Sequence, residues 1–347
     1  MSSSPGSIVI DSVRDAWAHT KATLVDRFNL GVWLKLAFIA MLGATTGGGG
    51  GGSFNVPTPS GDDDGGFKVQ ALNAARNAVE YVQENIVSLL ALIIGLVVLW
   101  VVIVLAVVFI RCVFRFIFVD AVRLGARRSI REAWSQHTGQ GFSLLLWYLV
   151  IGLVPIIFIA LAILPIVLSG VGFSSGEEIG AALGVGGIIL VVVLVVAAVV
   201  ITLLIQALTN DLLIPAMYVD GSGVVAGWRA VREAWHGRFW DVVVYFLLKS
   251  AMTLGAGLLG LMLIVPVMLA FIPAIISAGL MIGGAAALGL EAQAIALHVG
   301  PALAVCAIGF FVTVSYLSQC VFLPLTVFMQ SYSMAFVGRM DARLRTI

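Results

Sequence analysis

Long apolar runs separated by short polar stretches define the pattern of this chain. Each of six runs is long enough, or nearly so, to cross about 30 Å of hydrocarbon at about 1.5 Å of rise per helical residue. The pattern therefore predicts six membrane-spanning helices, at residues 28–45, 86–109, 142–168, 184–208, 239–270 and 301–328. The first run is the shortest and contains Lys35, whose long side chain we expect to reach the lipid headgroups.

A seventh apolar stretch, 271–300, lacks Lys and Arg but contains Pro273 and several glycines. Proline and glycine interrupt helices, and irregular backbone at membrane depth occurs only where protein or water satisfies its polar groups. We therefore predict a re-entrant or interfacial segment here, with a seventh crossing as the alternative.

The composition agrees with a membrane protein. Hydrophobic residues make up 61% of the 347 positions and charged residues only 11%, whereas soluble domains are about 25% charged. We therefore expect an all-α integral membrane protein folded as a single polytopic domain, and a soluble globular protein is excluded.

Basic residues are distributed unevenly between the runs. Fifteen of the 19 Lys and Arg lie before the first run, between the second and third, between the fourth and fifth, or after the sixth. The segments on the opposite side carry only Lys68 and Arg76. Because cytoplasmic loops are enriched in Lys and Arg, both termini are predicted to lie in the cytoplasm of a prokaryotic cell, with the protein in its inner membrane. This orientation requires an even number of crossings and so favours six.

Three related short sequences each precede a pair of apolar runs. They are Arg-Asp-Ala-Trp at 14–17 and Arg-Glu-Ala-Trp at 131–134 and 232–235. In the third copy the apolar side chains share one face of a helix and the charged side chains lie on the opposite face. We predict three hairpins, each preceded by a cytoplasmic amphipathic helix at the membrane interface.

The tryptophan that ends each copy suits the interface, because an indole can bury its ring while its N–H remains hydrated. In the first copy, Ile10 and Trp17 belong to the predicted apolar face. The predicted interfacial anchors are Trp17, Trp134, Trp235, Arg131 and Arg232.

Longer similarities accompany these copies. Phe118-Val119-Asp120 precedes the second and Tyr218-Val219-Asp220 the third, and Pro165 and Pro273 each follow a glycine by thirteen residues. An ordered set of similarities indicates internal duplication; the alternative is convergence imposed by the membrane.

The similarities define a provisional division of the chain. Pseudo-repeats are predicted at about 8–118, 119–218 and 219–328, together with an external glycine- and aspartate-rich loop at 46–85 and a cytoplasmic tail at 329–347. The six consecutive glycines in the loop are interpreted as a flexible linker, because neither the Lys-Ser/Thr nor the preceding strand of a phosphate-binding loop is present.

Ionisable residues within apolar surroundings are the candidate functional residues, because they are costly there unless they meet a partner or water. The candidates are Arg111, Asp211 and Lys249. Superposition of the second and third copies places Arg111 opposite Asp211. The interpretations are an ion pair that locks helices together, snorkelling to headgroups, or a substrate or proton pathway through Asp211 and Lys249.

Catalytic patterns are absent from the sequence: we find no Ser/His/Asp arrangement, no His-Glu-x-x-His and no Cys-x-x-Cys. His19, His137 and His236 follow the three tryptophans at unequal offsets, which points their rings in different directions and argues against a shared metal. The sequence therefore predicts neither an enzyme nor a cofactor or metal site.

The order of amphipathic helix, hairpin, Phe/Tyr-Val-Asp and Arg-Glu-Ala-Trp, closed by residues 330–341, resembles a group of uncharacterised prokaryotic multi-pass membrane proteins. It is also distantly similar to the membrane domain attached to some glycerophosphodiester phosphodiesterases. The resemblance implies a helical membrane protein without an assigned activity. No phosphodiesterase barrel is found in the chain, so no catalytic residue transfers.

The expected function is that of a scaffold or accessory component that contacts membrane lipids and a cytoplasmic or membrane protein partner, without nucleic acid. The alternatives are a small transporter or channel, and a lipid-modifying enzyme. A transporter requires Arg111, Asp211 and Lys249 around a water-accessible cavity. A scaffold requires them to be paired in tight packing, and an enzyme requires several titratable groups in a headgroup-level cleft.

Overall fold

The computed structural model describes residues 7–26, 28–43, 86–172, 177–269 and 300–344, and this part of the chain is helical without strands. The α-helices are α1 (Ser7–Leu24), α2 (Leu30–Gly43), α3 (Ile86–Leu124), α4 (Ile130–Gly172), α5 (Glu177–Leu208), α6 (Ile214–Asp220), α7 (Val224–Trp235), α8 (Phe239–Leu269) and α9 (Gly300–Met340). A π-helix, Thr209–Leu213, joins α5 to α6, and a 3₁₀ helix, Ala342–Leu344, follows α9.

Five helices within the described ranges are long and apolar enough to cross a membrane, which confirms the all-α membrane class. The candidate spans are Leu90–Leu124, Ile130–Leu161, Val191–Asp220, Phe239–Leu258 and Ile308–Met340. The first predicted span corresponds to α2, which has only 14 residues and extends about 21 Å, less than the hydrocarbon thickness. The predicted loop 46–85 and the stretch 271–299 lie outside the described residues.

Several helices continue beyond the apolar runs that predict them. Helix α3 continues beyond residue 109, where the predicted span ends, as far as Leu124. No glycine or proline interrupts this stretch. It ends where Gly125 and Ala126 adopt left-handed backbone conformations, with φ of 64° and 56°. Helix α9 contains Pro324 and Gly338 but continues to Met340, so it includes much of the segment predicted as a tail.

The amphipathic copies adopt two different structures. The third copy is the separate helix α7, which lies between left-handed turns at Gly221 (φ 61°) and Gly237 (φ 78°). The second copy is not a separate helix, because Arg131–Trp134 forms the start of α4, which continues unbroken to Gly172. Gln136 occupies the position of Gly237 relative to the tryptophan, so the second copy lacks the residue that ends α7.

The first copy is the separate helix α1, and of the predicted apolar face only Leu24 is among its buried side chains. Ile10 and Trp17 are 64% and 65% exposed. The buried side chains are Val9, Ser12, Ala16, Thr20 and Leu24. This face packs mainly against α9, and its small residues allow the close approach of two helices that is typical of membrane proteins.

The chain divides into two compact units, one comprising Met1–Gly47 with Arg111–Ile347 and the other Gly48–Ile110. In the larger unit, the side chain of Tyr245 on α8 stacks between aromatic rings of α9. Its ring centroid lies 4.7 Å from that of Tyr332 and 4.2 Å from that of Phe336. The core around these rings combines apolar residues of α1, the π-helix and α6 to α9. In the smaller unit, described side chains such as Leu92 and Trp100 are exposed.

Candidate functional site

The π-helix originates from a single proline. Pro215 lies at the start of α6 and has no N–H group, so it cannot donate to the carbonyl of Asp211, four residues earlier. That carbonyl instead accepts a hydrogen bond from the hydroxyl of Ser333 on α9. In the widened turn the N–H of Ile214 donates to the carbonyl of Thr209, five residues earlier. π-Helical turns are frequent at functional sites.

Asp211 and Lys249 form an ion pair inside the bundle. The Lys249 amino group lies 2.6 Å from Asp211 Oδ1, and the side chains are 19% and 12% exposed. The same amino group lies 3.4 Å from the hydroxyl of Tyr245, one turn earlier on α8, and 5.7 Å from the centroid of its ring. The two charges are therefore paired inside the bundle, and the Lys249 amino group lies beside the ring of Tyr245.

Asn210, the preceding residue, bonds to different helices. Its Oδ1 accepts hydrogen bonds from the Arg115 guanidinium of α3 and, at 2.8 Å, from the Tyr148 hydroxyl of α4. Arg115 also donates to the Tyr148 hydroxyl, and its guanidinium carbon lies 4.9 Å from the centroid of that ring. The three side chains therefore form a closed triangle.

Thr209 adds a third connection, because its hydroxyl oxygen accepts a hydrogen bond of 3.1 Å from the indole N–H of Trp147 on α4. Three consecutive residues of one π-helix thus bond to α3, α4, α8 and α9. We call this set the polar node: Thr209, Asn210, Asp211, Arg115, Trp147, Tyr148, Lys249 and Ser333.

Repeat alignment allowed a pair between Arg111 and Asp211, whereas the structure pairs Asp211 with Lys249. Arg111 is exposed, and Arg115, one helical turn later, is the α3 residue that reaches the π-helix. Asp211 and Lys249 do meet, as the sequence suggested, but in tight packing.

The predicted interfacial anchors occupy different environments. Trp17 is exposed, whereas Trp134 is half-buried, with its ring centroid 5.8 Å from that of Phe114. Trp235 is half-buried against the core and stacks on Phe239 at 6.3 Å. The two arginines of this set, Arg131 and Arg232, are exposed.

Lys35 is bonded within the protein. Its amino group donates hydrogen bonds to the carbonyls of Ala126 and Arg128, at 2.8 and 2.6 Å. These carbonyls lie at the left-handed turn that ends α3, where no helical N–H is available to them. Lys35 therefore fixes this turn against α2.

Sequence reasoning missed a second polar contact, between the two Val-Asp motifs. Asp120, only 3% exposed, accepts a hydrogen bond of 2.7 Å from the hydroxyl of Tyr218. The Arg128 guanidinium lies 3.4 Å from the same carboxylate oxygen. The only sequence signal was the repeated tripeptide, which shows similarity between two segments but not contact between them.

The role assigned to Ser333 gives a direct prediction. Ser333→Ala should lower the free energy of unfolding by about 1–3 kcal/mol, because the buried Asp211 carbonyl loses its donor. In a Pro215→Ala background the restored N–H can bond to that carbonyl, so the same substitution should cost at least about 1 kcal/mol less. Denaturant titration of the four proteins in mixed micelles measures this coupling.

Ser331 provides the matched control, because it is buried on the same helix and its hydroxyl has no hydrogen-bond partner among the described residues. Ser331→Ala should be neutral or stabilising. Equal effects of the two serine substitutions, or no coupling between Ser333 and Pro215, would contradict the assigned origin of the π-helix.

Five candidate spans and a polar node shared among apolar helices define the class: the chain is a multi-pass, all-helical membrane protein. A family of unknown function, DUF7544, matches residues 8–347, and the chain belongs to this family. No curated protein and no solved structure matches the chain.

Proposed function

We propose that the protein is a non-enzymatic membrane scaffold or accessory component whose exposed arginines bind anionic lipid headgroups. The carrying observation is that the charged side chains of the polar node are engaged by neighbouring side chains of the protein. Asp211 is bonded to Lys249, and Arg115 to Asn210 and Tyr148. Groups engaged in this way fix helices to one another and leave little capacity for a ligand.

The exposed arginines of α4 and α7 lie outside the polar node. Arg131 lies in the first turn of α4. Arg229 and Arg232 lie on the exposed face of α7, whose opposite face is buried through Val224 and Val231. Helix α7 is thus held by its apolar side and presents its basic side outward. Basic side chains near a membrane surface attract anionic lipid by about 1 kcal/mol each.

The test compares lipid preference in three proteins. The purified full chain is placed in nanodiscs of mixed phosphatidylglycerol and phosphatidylcholine, and labelled lipid in contact with the protein is quantified. Arg131→Gln, Arg229→Gln and Arg232→Gln combined should lower the preference for phosphatidylglycerol at least fivefold, since each arginine contributes about 1 kcal/mol at low salt.

The matched control is the triple substitution of the same arginines by lysine, which keeps the charges and should keep the preference. Raised salt should weaken the wild-type preference, because exposed charges are screened over about 10 Å at 0.1 M. An unchanged preference in the glutamine variant would reject lipid binding by this surface.

The proposal includes location and partners. The positive-inside pattern supports a prokaryotic inner membrane with both termini in the cytoplasm, and the same basic surface suits an acidic cytoplasmic or membrane protein partner. Relationship to the membrane domain of glycerophosphodiester phosphodiesterases is proposed at the level of helical architecture, without an enzymatic role.

Transport is the second candidate, favoured by one observation. Asp211 is an ionisable residue on a π-helix within an apolar span, a combination common in functional sites. Liposomes containing the protein and a trapped pH indicator test it. The scaffold proposal expects proton flux equal to that of empty liposomes, whereas flux abolished by Asp211→Asn would replace it with transport.

A further inference from the structure

Helix α1 has an exposed face that combines large apolar side chains with cations. Successive residues of a helix are rotated by about 100°, which places Ile10, Arg14, Trp17 and Lys21 within an arc of about 60°. Ile10 and Trp17 are 64% and 65% exposed, although the Trp17 ring contacts Phe328 of α9 at 6.4 Å between centroids. Both cations are exposed. We call these four residues the outer stripe.

Contacts on the other faces of α1 fix its rotation. The buried face packs on α9. On a second face, Asp11 and Asp15 bind the guanidinium of Arg339, at 3.3 and 2.7 Å. His19 Nε2 donates a hydrogen bond of 3.0 Å to the carbonyl of Val122, near the end of α3. Bonds to two other helices therefore hold the outer stripe away from the bundle.

The composition of the outer stripe indicates what covers it. Exposed apolar surface marks sites of contact with a membrane or a protein, and the exposed Val25 and Phe28 extend this surface toward α2. A tryptophan is favoured at the level of the headgroups. Arginine and lysine can bury their apolar stems while their charged ends reach the phosphates. This combination is typical of a helix that lies in the membrane interface.

A second copy of this chain fits the outer stripe less well. A two-fold contact places the same surface patch of each copy against the other, so Arg14 and Lys21 would face the same cations of the second copy, and like charges repel. Asp11 and Asp15 could relieve this repulsion, but they lie on another face and bind Arg339. The charges of α1 therefore favour lipid.

We propose that the outer stripe of α1 inserts into the membrane surface. The side chains of Ile10 and Trp17 lie at the boundary between headgroups and acyl chains, and those of Arg14 and Lys21 reach the phosphates. Through Arg339, α1 holds the end of α9 at the same level. This insertion is apolar and separate from the arginines of α4 and α7, so it does not depend on the lipid preference proposed for them.

The experiment measures the depth of Trp17 in the bilayer. The purified full chain is placed in phosphatidylcholine nanodiscs whose lipid carries bromine either near the headgroup or near the ends of the acyl chains. Bromine quenches nearby indoles, and the difference in emission between the wild type and Trp17→Phe isolates Trp17 from the other tryptophans. Shallow bromine should quench Trp17 about twofold more than deep bromine, because an interfacial indole lies near the headgroups.

Two results overturn the proposal. Stronger quenching by the deep bromine would place Trp17 within the hydrocarbon, and no quenching by either lipid would place it in water or against a protein. Trp228→Phe is the control, because the indole N–H of Trp228 is buried and its emission should respond to neither lipid. Phosphatidylcholine is used alone, so a negative result leaves the proposed lipid preference of the other arginines untouched.

A matched pair of substitutions tests the face of α1. Ile10→Glu adds a carboxylate to the outer stripe and should lower the shallow quenching of Trp17 about twofold, because a charged group is costly at the acyl-chain boundary. Ala22→Glu adds the same charge at an exposed position on the face of Asp11 and Asp15 and should leave the quenching unchanged. Each variant is measured with and without Trp17→Phe. Equal effects of the two substitutions would reject the outer stripe as the contact surface.

Discussion

Replacement of Lys249 by methionine is expected to lower the free energy of unfolding by about 3–5 kcal/mol. The substitution removes a cation that lies 2.6 Å from Asp211 Oδ1, and the aspartate then remains buried without a counter-charge. Methionine keeps much of the apolar stem, so the loss reports mainly on the charge.

The double variant Asp211→Asn with Lys249→Met should recover most of this loss, because a buried ion pair and a neutral pair of similar volume have similar stability. The four proteins form a double-mutant cycle, which isolates the coupling between the two residues. Unfolding is followed by tryptophan fluorescence while sodium dodecyl sulfate is added to the full chain in mixed micelles.

Lys21→Met is the matched control, because Lys21 is exposed on α1. Its effect should stay within about 0.5 kcal/mol. Additive effects of Asp211→Asn and Lys249→Met, each below about 1 kcal/mol, would show that the pair does not hold the helices together and would remove the main support for a scaffold.

The apolar runs predict the class of protein and the approximate positions of most helices. In lipid a helix must form its own backbone hydrogen bonds, and it needs about 20 apolar residues to cross the bilayer. They do not predict where the helices end. Helix α3 continues to Leu124 and α9 to Met340, since arginines, serines and tyrosines extend a helix as readily as leucines once packing supports it. Hydropathy measures the lipid contact of a segment, whereas a helix end depends on local backbone geometry, such as the left-handed turns after α3 and α6.

The amphipathic copies show why a periodic face is ambiguous. The apolar face predicted for α7 is buried, but it packs on the core of the protein, whereas the sequence led us to expect contact with the membrane interface. In α1, Ile10 and Trp17 of the predicted apolar face are exposed, as lipid-facing side chains of an interfacial helix would be, and the small residue Ala16 is buried. In membrane proteins, small residues are enriched where two helices pack closely.

The polar node was only partly predictable for a related reason. A charged side chain in an apolar run is costly unless it meets a partner or water. This reasoning singles out Asp211 and Lys249 from the sequence, and the two residues form an ion pair. Nothing local in the sequence connects Asp211 to Ser333, 122 positions later. The proline four residues after Asp211 was the available signal, because it predicts a freed carbonyl that needs a distant donor.

Asn210→Leu is the second substitution with a large expected effect, a loss of about 3 kcal/mol in the free energy of unfolding. Asn210 Oδ1 is the oxygen that receives both the Arg115 guanidinium and the Tyr148 hydroxyl. Leucine preserves the volume but leaves the half-buried guanidinium with fewer acceptors.

The opposite substitution, Arg115→Met, should cost much less, about 1 kcal/mol, because it removes the charge itself. Asn210 Oδ1 then still accepts the hydrogen bond of 2.8 Å from Tyr148. The double variant should be more stable than Asn210→Leu alone. If Asn210→Leu is the least stable of the three variants, the cost comes from an unpaired guanidinium. If the three are equal, it comes from the loss of one hydrogen bond.

Gln206→Leu, one turn earlier on α5, is the matched replacement of an amide by leucine and should change stability by less than about 0.5 kcal/mol. The same detergent titration measures all four variants. Two results would contradict this expectation: Arg115→Met as destabilising as Asn210→Leu, and a double variant no more stable than either. The guanidinium would then itself stabilise the bundle, and the triangle would add stability as well as fix the register of α3 and α4 on the π-helix.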